Sequence, residues 1–166
     1  SYNGALANGG AFALSFIESL KTLSALKLNG VHIKDIGVKD LTDSRYLTNL
    51  QTLELSDTGI SDRALGFLAS GSLKKIETLD LSKNSFSHLG ARAIASFPFK
   101  PLVLNLDFTE MGDLGVKVIT ESTMLQDVRT FSLRNTRLTD EGAIGIGNSK
   151  NLGKLQTLNL SYNSIG

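Results

Sequence analysis

The sequence predicts an α/β solenoid, a curved and right-handed stack in which short parallel strands line one face and short helices the other. Two observations predict it. Leucines recur in a fixed phrase at a near-constant interval, and the stretch between phrases repeats its own pattern of an acid, a small residue and apolar residues at helical spacing. Composition agrees: 166 residues at 41% hydrophobic and 20% charged are enough for one domain with a sizeable core.

The strands come first in each unit. The strings LSALKLNGVHI, LQTLELSDTGI, IETLDLSKNSF, PLVLNLDFTEM, VRTFSLRNTRL and LQTLNLSYNSI share the form L-x-x-L-x-L-x-x-(N/T)-x-L. The first residue of each L-x-L pair is Leu26, Leu53, Leu79, Leu104, Phe131 or Leu158, at spacings of 27, 26, 25, 27 and 27. In extended chain the two apolar residues of a pair point inward and the residues around them outward, so neighbouring phrases pair as parallel strands about 4.7–4.9 Å apart. One unit cannot cover its own apolar face, and each must stack on the next.

The helices follow. Six residues after the Asn/Thr column stands Gly9, Gly37, Ala64, Gly90, Gly115 or Gly142; four residues after it stands Asp35, Asp62, Asp113 or Asp140, with Ala7 and His88 as exceptions. Leu65 with Leu68, Ala91 with Ile94, Val116 with Ile119 and Ala143 with Ile146 have helical spacing. Ser61, Ser87 and Thr139 stand where a side chain can satisfy free N–H groups at a helix start. The small residue is expected to let the helix approach the strand, and the Asp to act as a capping charge on its own helix. Phe97-Pro98-Phe99-Lys100-Pro101 falls in the shortest unit and reads as a distorted connection, because Pro cannot donate ladder hydrogen bonds.

The units run 20–46, 47–72, 73–98, 99–124 and 125–151, with partial units at 1–19 and 152–166, in a single domain covering residues 1–166 with about six repeats. Asn3 shares a column with Val31, Thr58, Asn84, Thr109, Thr136 and Asn163, so Ser1-Tyr2-Asn3 reads as the tail of a further unit. The expectation is an excerpt from a longer array.

These phrases resemble the leucine-rich repeat family over essentially the whole chain. Unit length and the phrases TGISDRALGFLA and NSFSHLGARAIA look like its ribonuclease-inhibitor-like and cysteine-containing subclasses, although Thr or Asn stands where the latter carries Cys. The resemblance implies a non-enzymatic protein-binding scaffold whose concave parallel sheet meets a macromolecular partner. Members similar to this chain serve as substrate-recognition arms of ubiquitin ligases or as microbial effectors. Others, echoed by GARAIA and NSIG, activate the GTPase Ran, and a purely structural array is a further reading.

Seventeen basic and sixteen acidic residues leave a formal charge of +1, so no global field draws in nucleic acid or an anionic membrane. There is no apolar run long enough to span a bilayer. Without Cys there is no disulfide framework or thiolate metal site, which fits a reducing, cytoplasmic compartment without requiring one. His32 and His88 fall on different parts of different units and suggest neither a metal site nor a catalytic triad, and no cofactor is expected. GAIGIGNSK departs from a phosphate-binding loop at Asn148 and occupies a repeat helix.

The candidate site is therefore the outward face of the strands. Glu54, Asp57, Glu77, Asp80 and Asp107 cluster on three consecutive rungs, and Arg129 and Arg134 share the next. Like charges on adjacent strands repel unless solvated or met by a partner. The expected partner is a protein segment carrying Lys or Arg, laid on this acidic stripe with Phe108 and Tyr162 as aromatic anchors.

Overall fold

The computed structural model describes residues 6–166, with side chains from residue 9 onward, and the column assignment of Ser1-Tyr2-Asn3 lies outside the described residues. Each phrase forms a three-residue strand: β1 (Ala25–Lys27), β2 (Thr52–Glu54), β3 (Thr78–Asp80), β4 (Val103–Asn105), β5 (Thr130–Ser132) and β6 (Thr157–Asn159). The strands pair in parallel and in chain order into one sheet, with Leu26, Leu53, Leu79, Leu104, Phe131 and Leu158 in register. Between and before them lie α1 (Leu6–Ser15), α2 (Lys34–Asp43), α3 (Asp62–Ser70), α4 (His88–Ala95), α5 (Gly112–Thr120) and α6 (Asp140–Gly147). Each helix packs on the next, so the chain is a curved solenoid with the sheet on its concave side.

The core fills the space between the two layers. Leu53, Leu79, Leu104 and Phe131, with the second apolar residues Leu55, Leu81, Leu106 and Leu133, are shut off from solvent. Leu65, Leu68, Ile94, Val116 and Ile119 meet them from the helices. Burying each such side chain is worth about 1.5–3 kcal/mol. Ser61, Ser87 and Thr139 cap α3, α4 and α6, each accepting a hydrogen bond from the backbone N–H two residues on. The Pro98 and Pro101 segment connects α4 to β4, and its Phe97 and Phe99 are buried with ring centroids 5.0 Å apart.

The recurring Asp does something other than serve its own helix. Asp35 accepts the Ser61 N–H and hydroxyl, both at 2.7 Å; Asp62 accepts those of Ser87 at 2.9 and 2.6 Å, and Asp113 those of Thr139 at 2.9 and 2.7 Å. Each carboxylate thus ties its unit to the cap of the following one. Burial pushes the Asp113 carboxyl up, but the Thr139 hydroxyl and the N–H groups of Thr139 and Gly142 outweigh it and hold it below its ordinary value.

The small-residue column serves the same approach between helices, rather than that of helix to strand. A Cβ on Gly90 would run into the Asp62 carboxylate and stand 2.7 Å from Leu65 of the preceding helix. One on Gly142 would likewise strike the Asp113 carboxylate. At these two joints a side chain larger than hydrogen would push the tie apart, whereas the Asp35–Ser61 joint has room for Ala64.

The Asn/Thr column closes the turn after each strand. Asn84, nearly buried, donates to the carbonyls of Leu55, Leu81 and Ser82 at 2.7, 3.0 and 3.0 Å and accepts the N–H groups of Thr58 and Ile60 at 3.1 and 3.3 Å. Asn163 repeats this against Thr136 and Leu138. Where Thr stands, its hydroxyl turns back onto its own strand: Thr58, Thr109 and Thr136 donate to Leu55, Leu106 and Leu133 at 2.8 Å. Every one of these buried polar atoms has a partner, as the interior requires.

Candidate functional site

The in-register pairing lays out the concave floor as rows. One row is Ala25, Thr52, Thr78, Val103, Thr130 and Thr157; the next is Lys27, Glu54, Asp80, Asn105, Ser132 and Asn159. The first row has low relief. The second changes from charged on β1–β3 to neutral and polar on β4–β6.

The acids of the stripe differ in what they have left to offer. Glu54 is engaged: Lys27 Nζ lies 2.8 Å from one oxygen and Asn29 Nδ2 donates to the other at 2.7 Å. The hydrogen bond from Lys27 pulls its carboxyl below the ordinary value, against the upward push of burial, with Asn29 adding to the pull. Asp107 is also held, accepting the Ser132 hydroxyl at 2.5 Å and the Arg134 backbone N–H at 2.8 Å. Asp80 accepts the N–H of Ser82 at 2.9 Å with one oxygen. Asp57 and Glu77 are exposed, and among the described residues neither they nor Asp80 makes an ion pair.

The aromatic residues do not stand apart from the basic ones. Arg134 inserts its guanidinium between two rungs, with Cζ 5.1 Å from the Phe108 ring centroid and 4.2 Å from that of Tyr162. Such contacts contribute about 0.5–1 kcal/mol each when exposed and more when dry. Arg134 Nε is buried without a hydrogen-bond partner. Both rings are carried by left-handed backbone, φ +56° at Phe108 and +59° at Tyr162, in the column where other units place Gly30, Asp57, Lys83 and Asn135. For an L-residue that conformation costs roughly 1–2 kcal/mol, a cost glycine avoids.

Arg129 lies elsewhere. It immediately precedes β5 whereas Arg134 follows it, five residues on, which at ~3.3 Å per residue puts them up to about 16 Å apart, at the opposite edges of the concave face formed by the two ends of the strands. Glu77, just before β3, is on the Arg129 edge; Asp57, Phe108 and Tyr162 are on the Arg134 edge. Lys27, Asn29 and Ser132 belong to the site as the partners that occupy Glu54 and Asp107, a role the sequence reading did not give them. The signal was there in the repeat frame, which puts Lys27 directly beside Glu54.

Among the described residues no group of three or more His, Cys, Asp or Glu could hold a metal ion, and no helix is long and apolar enough to cross a membrane. A leucine-rich repeat profile matches residues 46–69, 72–95 and 154–166. Mouse lumican is 32% identical over 145 residues, 87% of this chain. Rabbit lumican is 32% identical over the same length, and the match covers 68% of it. The chain belongs to the leucine-rich repeat family. It spans 38% of the length of mouse and of rat lumican. An internalin of Listeria monocytogenes has the same fold, with a TM-score of 0.63 at 23% identity over 93% of this chain and 45% of its own.

The finer expectation, membership of the ribonuclease-inhibitor-like and cysteine-containing subclasses, is corrected. The matches are to the general leucine-rich repeat profile and to an internalin fold, and the chain has no Cys. The column in question holds Thr58, Asn84, Thr109, Thr136 and Asn163, whose hydroxyls and amides bond the strand carbonyls as a thiol would do only weakly.

Proposed function

We propose that this leucine-rich repeat chain is a non-catalytic scaffold that binds a protein segment along its concave sheet. The observation that carries the reading is the uncompensated charge on β2–β3: Asp57, Glu77 and Asp80 stand on adjacent rungs without a cation, while Glu54 beside them is already neutralised by Lys27. Among the described residues none of the three is ion-paired, and a Lys- or Arg-bearing segment supplies the cation. Phe108, Arg134 and Tyr162 at the other end of the face add rigid, amphipathic area of the kind that anchors interfaces. Arg129, on the opposite edge, is a rim contact.

A random peptide library panned on the protein tests this. Enriched sequences are expected to carry Lys or Arg and to lose binding to the double variant Asp57→Lys with Asp80→Lys, whose folding is checked by circular dichroism. Enrichment of nothing, or of peptides indifferent to the reversal, would remove this face from consideration.

A further inference from the structure

Arg134, like Lys83 and Arg129, is a cation of this face without an anion among the described residues, and it alone of the three is held between two rings. Its neighbours are matched: Arg137 pairs with Glu110 at 2.6 Å and Lys154 with Asp127 at 2.6 Å. The acid nearest to it in the repeat frame, Asp107, is turned to the Ser132 hydroxyl and to the backbone N–H of Arg134 itself, leaving the guanidinium unsatisfied. Among the described residues the Arg134 side chain makes no ion pair, and its Nε has no acceptor. The guanidinium is nevertheless fixed, clamped between Phe108 and Tyr162 from the two flanking rungs. Both clamping rings sit in the left-handed column that every unit shares, with Gly30, Asp57, Lys83 and Asn135 on the other rungs.

We propose that Arg134, held by Phe108 and Tyr162, is a docking point for the carboxylate of an Asp or Glu side chain on the bound protein segment. A guanidinium locked in one plane offers parallel N–H groups that match a carboxylate, and little side-chain entropy is left to lose on binding. A phosphate dianion fits less well. Phosphate recognition uses clusters of Arg, and here the second arginine of the rung, Arg129, is at the far edge of the sheet while Asp107 and Glu110 lie close in the chain. The inference rests on the reading of the concave face as a protein-binding surface, and it makes the partner segment bipolar. Its basic residue lies over Asp80 of β3 and its acidic residue over Arg134 beyond β5. Two rungs at about 4.8 Å separate them, the reach of about three extended residues.

The same panning experiment, run in parallel on wild type, Arg134→Gln and Arg134→Lys, tests it. Wild type is expected to enrich peptides with Asp or Glu about three residues from Lys or Arg. Arg134→Gln is expected to bind those peptides about tenfold more weakly or worse, the scale of losing a charge-assisted pair, with Arg134→Lys recovering only part because it lacks the planar fork. Synthetic copies of one enriched peptide, with Glu replaced by Gln or by phosphoserine, complete the set. Gln should lose the same factor on wild type and nothing further on Arg134→Gln. Peptides that need Asp57 and Asp80 but show no acid preference would overturn this inference and leave the scaffold reading standing. Enrichment of nothing would overturn both, and tighter binding of the phosphoserine peptide than of the Glu peptide would overturn the carboxylate assignment.

Discussion

Between α3 and α4 the units are tied twice by side chains, through Asp62 to the cap Ser87 and through Asn84 across to Thr58 and Ile60, whereas between α4 and α5 neither tie exists. At the second joint His88 stands in the Asp column and Gly112, with φ +59°, stands in the Ser/Thr column, so the acid and the hydroxyl are missing together. Thr109 replaces the bridging Asn and bonds only its own strand. What remains is the backbone ladder, packing and one hydroxyl, that of Ser122. Leu81 N–H reaches the Asn105 carbonyl at 2.9 Å, Lys83 N–H that of Asp107 at 2.8 Å, and the Ser122 hydroxyl that of Ala95 at 2.6 Å. A Cβ on Gly115 would stand 3.4 Å from His88 Cα, which measures how closely the two helices meet there. The strand ladder, the core and the Ser122 hydroxyl therefore suffice to stack two units; the Asp and Asn ties are an addition, present at some joints and absent from this one.

The largest test of that comparison is Asn84→Ala. It strands the N–H groups of Thr58 and Ile60 and the carbonyl of Leu81 in the interior, and chemical denaturation should show a loss of about 3 kcal/mol. Next comes Asp62→Ala, expected to cost about 1–2 kcal/mol by leaving the Ser87 N–H and hydroxyl without an acceptor, against a change within about 0.5 kcal/mol for His88→Ala. Equal losses at the two positions would erase the distinction between the joints. Gly112→Ser should cost about 1 kcal/mol despite restoring the hydroxyl, because the left-handed backbone there disfavours any Cβ. A gain in midpoint would show that the joint can be tied by side chain alone.

The smallest effect is in pH. The Asp113 carboxyl is held below its unfolded value by Thr139 and Gly142, so the tie is fully present above the ordinary carboxylate range and is lost as pH falls through the depressed folded value. Lowering pH from about 5 to about 2 should therefore reduce the thermal midpoint of wild type more than that of Asp113→Asn.

Much of this was legible in the letters. The L-x-L phrase set the strands, their parallel order and their register, because a period-2 alternation repeated at a constant interval leaves one way for the leucines to share a core. The helix starts at Ser61, Ser87 and Thr139 were legible for the same reason, each hydroxyl standing at a fixed step after the strand. The destination of the Asp column was not. A repeat frame says that Asp62 recurs, but a carboxylate at a helix start can turn to its own N–H groups or forward to Ser87, and only the helix spacing permitted by Gly90 decides. The site divides likewise. The columns of Glu54, Asp107, Arg134, Phe108 and Tyr162 follow from counting; that Lys27 claims Glu54 and that two rings close on Arg134 depends on rotamers, which counting does not reach.

The Asp ties have a direction, from each unit to the one after it, and that gives the array a grammar for recombination. A unit excised or duplicated at the α3–α4 or α5–α6 boundary leaves an acid without its hydroxyl or a hydroxyl without its acid. At the His88 and Gly112 boundary neither half exists to be orphaned. That boundary is the natural splice point of the chain, where repeats can be inserted, deleted or exchanged with only the strand ladder, the core and the Ser122 hydroxyl to rematch.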